Sequence, residues 1–245
     1  MRGMRVRGIS MVIVLAGIVV LLVVVSILLV ATTSGLTPEE RQRLEDEIRQ
    51  LVTSLGTVVP PIDAPELRQL HRQADHPRML GWIKNSMRLD LRVGLRIVDT
   101  PCAETPMWIE TPNPMPRYGS EAFRQTRVIV NVRREVLEKD PFEFIVAGFA
   151  HELSHVVLFS IQHPLQHSER AVDLTSMILG YRNFVTRTDR TQIQGGALAI
   201  ALSLLLLRFG FVYIPARTRS SLGYLSKDEK RYASRHLARI EAARS

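Results

Sequence analysis

Residues 140–173 read DPFEFIVAGFAHELSHVVLFSIQHPLQHSERAVD. Asp140 and Pro141 form a helix start, with Asp140 capping, Pro141 in the first turn and Glu143 as the third helical residue. The helix predicted from this start runs to about Gln162 and is apolar nearly all round, as expected of a central, buried helix. Its middle nevertheless carries His151, Glu152 and His155. Titratable groups are rare in such a setting unless they are paired or bind a metal. That mismatch makes this helix the centre of the fold and of the chemistry.

Histidines at i and i+4 lie on one helix face, one turn apart, so both imidazoles can reach a single tetrahedral zinc ion. Glu152 follows the first histidine and points toward the open coordination position. It can take a proton from a water and later give it to a leaving amine. Zinc lowers the pKa of its water to about 7, which suits catalysis at neutral pH. A third protein ligand is required. His163–Gln166, with Pro164, reads as a turn, and Ser168 caps a second helix continuing to about Val185. Folded back antiparallel, that helix presents Glu169 to the two histidines. Asp173, one turn on, is set to accept the second N–H of a ligand histidine. His163 and His167 compete with Glu169 for the third position, since neutral imidazole is a good zinc ligand. The bland alternative is a pair of core histidines satisfied by neighbours, with no metal. An oxyanion-stabilising donor is also expected. Tyr181, Tyr213 and Tyr224 are candidates, each with packing as the competing role.

This constellation resembles the zincin metallopeptidases, and within them the gluzincin group. The resemblance covers roughly residues 90–185. It implies His151, His155 and Glu169 as zinc ligands, Glu152 as general base and Asp173 as the group that orients a histidine. It also implies a minimal zincin-like α+β domain: a small sheet, the HExxH helix and a following ligand helix. An edge strand would align the peptide substrate, a part open to Arg127–Val132 or Met107–Glu110. The metzincin pattern fails, because Leu158 and Ile161 occupy its glycine and third-histidine positions. Membrane heat-shock peptidases of the clan place hydrophobic segments between the histidines and the glutamate. Here the hydrophobic segment comes after.

Outward from the site, Leu36–Leu55 reads as a helix with Thr37 as cap, Pro38 at the first position and Glu40 completing a capping box. Ala64–Asn85 reads as a further helix interrupted at Pro77. Val93–Val98, Met107–Glu110 and Arg127–Val132 read as short strands, the last alternating most clearly. Ser226 and Glu229 form a capping box that opens a basic helix to about Ala243, read as solvated or facing lipid headgroups.

The ends of the chain suggest a membrane. Residues 9–32 carry no charge and form a 24-residue apolar run, long enough to span a bilayer. Arg2, Arg5 and Arg7 precede it and favour a cytoplasmic N-terminus. A cleaved signal peptide is the competing reading, but its apolar region is shorter, about 7–15 residues. A second apolar run covers Gly195–Ile214 and is broken by Arg208. It reads as a second transmembrane helix returning the tail to the cytoplasm, or as a buried or membrane-dipping helix. The tail's charge favours the span.

These features divide the chain into a basic N-terminus (1–8), a transmembrane helix (9–32), a helical stalk (33–86), a zinc metallopeptidase core (87–194), the second hydrophobic segment (195–214) and a basic tail (215–245). The net charge of +8 resides at the two ends, and residues 33–194 are nearly neutral. That argues against nucleic acid as partner and for membrane lipid. The single Cys102 excludes an internal disulfide framework. The expectation is an integral membrane zinc endopeptidase of protein or peptide substrates. It would lie in a bacterial inner membrane with the catalytic domain extracytoplasmic. The alternative is a non-enzymatic membrane scaffold or regulator with a structural or decayed zincin site.

Overall fold

The structure is a computed structural model and describes residues 35–99, 105–188, 190–192, 218–220 and 224–244. The apolar runs at 9–32 and 195–214, with Arg208 and Tyr213 in the second, and Cys102 lie outside the described residues. The chain divides into two compact units, Met1–Arg41 and Gln42–Ser245, and every candidate site residue belongs to the second.

Helix α1 spans Pro38–Leu55. At its start the Glu40 N–H donates to Thr37 Oγ1 and the Thr37 N–H to the Glu40 carboxylate, the reciprocal pair expected from the sequence. Leu44, Ile48, Leu51 and Val52 are its buried face. The helix expected over 64–85 is two: α2 (Pro65–Arg72) and α3 (His76–Ser86). Asp75 starts the second by accepting the Arg78 N–H, with Ala74 at a positive φ of 54° just before it. Pro77 therefore sits in a first turn and does not kink a continuous helix.

Strands β1 (Arg92–Val98), β2 (Met107–Glu110) and β3 (Arg127–Arg133) form one sheet in the order β1-β3-β2, with the short helix α4 (Glu121–Gln125) before β3. β1 runs parallel to β3 and β2 antiparallel to it. The central position of β3 removes Arg127–Val132 as an edge strand, since both its ladders are occupied, while Met107–Glu110 lies at an edge of the sheet. Val128, Val130 and Val132 are fully buried on one face of β3. Across the three strands, Asn131 donates to Glu110 and accepts from Arg96, which also pairs with Glu110.

Helix α5 (Arg134–Lys139) follows directly, then α6 (Phe142–Ser160). Asp140 does not cap α6. It closes α5, its N–H bonded to the Val136 carbonyl, and Pro141 takes the capping position. α6 is long and apolar enough to cross a membrane by length and composition alone. It is buried along most of its length, as the core helix of this unit.

Ser168 caps α7 (Glu169–Ser176) as expected. The helix does not continue unbroken to Val185. A π-helical turn, Met177–Tyr181, separates α7 from α8 (Arg182–Arg187), and Gly180 within it has φ 101°. The cause is the proline-rich segment after α1. Val59 N–H donates to the Ile178 carbonyl and Ile62 N–H to the Gly180 carbonyl. A Cβ on Gly180 would stand 2.9 Å from the Pro60 carbonyl oxygen.

β4 (Arg190–Gln192) and β5 (Thr218–Ser220) pair antiparallel. The last helix, α9 (Lys227–Ala242), opens with the Ser226–Glu229 capping box. It is not a solvated tail: Lys230, Ala233 and Leu237 are fully buried. Glu229 pairs with Arg170, Glu241 with Arg182, and Tyr232 donates to Glu45. The tail therefore lies beside the site-bearing helices. The second hydrophobic segment, read in the sequence as a possible span, lies outside the described residues.

Candidate metal centre

The antiparallel return of α7 along α6 brings His151, His155 and Glu169 together. Glu169 Oε2 lies 3.2 Å from His151 Nε2 and 3.4 Å from His155 Nε2. The two imidazoles stand at 82° to one another, 5.1 Å between ring centres. Their ligand atoms all fall within 4.8 Å of each other, close enough for one ion. Two imidazoles and a carboxylate are a donor set suited to zinc with an open fourth position.

Asp173 takes the predicted place. Its Oδ1 lies 2.8 Å from His151 Nδ1, so the His151 N–H points to the aspartate and Nε2 is left facing the cluster. Its other oxygen, Oδ2, accepts the backbone N–H groups of Tyr224 (2.7 Å) and Leu225 (3.2 Å). The segment before α9 thus locks the aspartate that locks the histidine. Sequence reasoning missed this link. Backbone donors leave no signature in side-chain spacing, and 51 positions separate Asp173 from Tyr224.

Electrostatics concentrate positive charge at the same point. Burial pushes His151 down, but hydrogen bonds to Asp173 and Glu169 outweigh it and hold the imidazole well above its usual range. Glu169 is lowered, chiefly by its hydrogen bond to His151. His155 is lowered to about 4 by burial and by the neighbouring His151 charge. The carboxylates of Glu169 and Asp173 thus favour a positive charge among the three groups. Glu152 is buried beside them and raised to about 7, first by burial; His151 opposes the shift, Glu169 adds to it, and the backbone N–H of Ile109 in β2 lowers it by hydrogen bonding.

The other candidates separate cleanly. His163 is buried in the turn, where its Nδ1 accepts the Leu165 N–H, and it is not in the cluster. His167 packs on Phe159 at 5.5 Å between rings. Neither joins the cluster, and Glu169 does. Tyr181 is fully buried and its hydroxyl shares a 2.5 Å hydrogen bond with Ser86 Oγ, which engages it away from the cluster. Tyr224 is 65% exposed, its backbone N–H is bonded to Asp173, and its phenol is raised first by the charge of Glu169, then by burial and by the charges of Asp173 and Glu152.

No protein-family model, curated protein or solved structure matches the chain. The reading of the site therefore rests on its own geometry.

Proposed function

We propose that the chain is a membrane-anchored, zinc-dependent endopeptidase of gluzincin type. The observation that carries the reading is the convergence of His151, His155 and Glu169 on one point, with Glu152 adjoining on the same helix and bonded to the Ile109 backbone of the edge strand β2. His151, His155 and Glu169 would hold the zinc, and the ion would supply Lewis acidity and an acidified water.

The chain's own groups do the rest. β2 offers its free edge to an extended peptide. Glu152 removes a proton from the attacking water and delivers it to the departing amine nitrogen. Asp173 holds His151 with Nε2 directed at the cluster. Tyr224, tied to Asp173 through its backbone N–H, would donate its hydroxyl to the oxygen that gains negative charge at the scissile carbonyl. The apolar run at 9–32, flanked by arginines, anchors the enzyme with its N-terminus in the cytoplasm, so that substrates are envelope or membrane-proximal proteins.

The test is zinc content of the purified full-length chain, together with hydrolysis of a mixed peptide pool. About one zinc per chain, weakened retention in Glu169→Ala, and cleavage lost in Glu152→Gln support the reading. Absence of zinc under zinc-replete purification overturns it. Zinc with no cleavage of any peptide leaves a scaffold with a structural metal site.

A further inference from the structure

A cleft of about 330 Å³ opens beside the centre. One wall is Pro112, Pro114 and Met115, in the loop that continues β2. The other is Phe159, Gln162 and His167. Phe159 lies one turn beyond His155 on α6 and stacks on it, ring centres 5.9 Å apart and 20° between planes. His167, two residues before Glu169, packs on the far side of Phe159. A continuous ladder of rings thus runs from the cluster into the cleft. The opposite wall begins one residue past Glu110, the last residue of the edge strand.

We infer that this cleft is a subsite for an uncharged aromatic or long aliphatic side chain, on the N-terminal side of the bond to be cleaved. The inference rests on the peptidase reading. A peptide added to the free edge of β2 pairs more stably antiparallel than parallel. It then runs opposite to β2, and the residues before its scissile bond lie toward Thr111. Side chains alternate across a strand, so one of the first residues before that bond is directed into the cleft. The volume is at the low end for a ligand pocket, enough for a side chain and not for a large ligand. The lining supplies two prolines, a methionine and a phenylalanine, with Thr111, Asn113 and His167 as neutral polar groups, and no Asp, Glu, Lys or Arg. A charged side chain would be desolvated there without a partner. Gln162, held by Arg117 at 3.2 Å, and Gln166 provide amides at the rim.

The experiment uses the full-length chain in detergent with zinc. Two readouts are taken on peptides carrying Phe, Leu, Asp or Lys at each of three positions before the bond: hydrolysis by the parent, and binding of labelled peptides to Glu152→Gln. The expected result is a preference of tenfold or more for Phe and Leu over Asp and Lys at one of those positions, in both readouts. Gln166→Trp, which fills the cleft, should abolish that preference, and Gln162→Glu should shift it toward Lys. Equal use of all four side chains, or a preference unchanged in Gln166→Trp, overturns the subsite and leaves the peptidase reading standing. Selective binding of Phe peptides without hydrolysis by the parent keeps the subsite and sinks the peptidase.

Discussion

Glu152 and Asp173 are both buried carboxylates near His151, yet they answer to different neighbours and should fail differently. Glu152→Gln keeps the shape and removes the proton acceptor. Peptide hydrolysis should fall by about 10²–10⁴-fold while zinc content stays near that of the parent. Asp173→Asn alters the partner that fixes the His151 ring. Zinc affinity should fall about 10–100-fold in a chelator competition, with hydrolysis recovering at excess zinc. Tyr224→Phe should lower kcat about 10²-fold with little change in KM, the signature of a donor that acts late; a rise in KM alone would assign the ring to binding. A separate pair, His71 and His76, is lowered chiefly by burial and has ring nitrogens without partners at the corner between α2 and α3. Arg68, Asp75 and Glu143 are the charges that face it. In the unfolded chain these histidines bind protons below about pH 6.5, while the folded chain resists. The contribution of this pair to stability should therefore drop as pH falls from 7.5 to 5.5. The urea midpoint of a His71→Gln/His76→Gln chain should drop less, and an equal drop would acquit the pair.

At the scale of elements, the break after α7 is the most exacting local feature. Gly180→Ala adds a methyl against the Pro60 carbonyl at a φ that favours glycine, and should cost about 1–3 kcal/mol, read as a lowered melting temperature. That break was invisible in the sequence, because the partner forcing it, residues 59–62, lies far upstream. The site itself was legible for a physical reason. His151, Glu152 and His155 stand out against an apolar helix, and Glu169 and Asp173 follow at a one-turn spacing after a clear cap at Ser168. The strands at 92–98, 107–110 and 127–133 were legible from alternation, but not their order, and only the order shows that β3 is central and that β1 and β2 lie at the edges. α9 misled because its sequence is basic. Lys230 sits in the interior within hydrogen-bond reach of Thr188, and Ala233 and Leu237 are too sparse to announce a buried face.

For the molecule as a whole, the sheet, α6 and α7 form the part expected of an α+β chain. The return of the tail is what ties its distant segments together. Arg170 joins Glu47 in α1 to Glu229 in α9, so three elements far apart in sequence meet through one guanidinium. The same return gives the tail a compartment. β4 and β5 pair, and the backbone N–H groups of Tyr224 and Leu225 grip Asp173. On the proposed reading, with the catalytic groups outside the cytoplasm, α9 shares that side with His151 and Glu169. A phosphatase fused after Ser245 should then be active only outside the cytoplasm, and report the compartment in which the metal centre works.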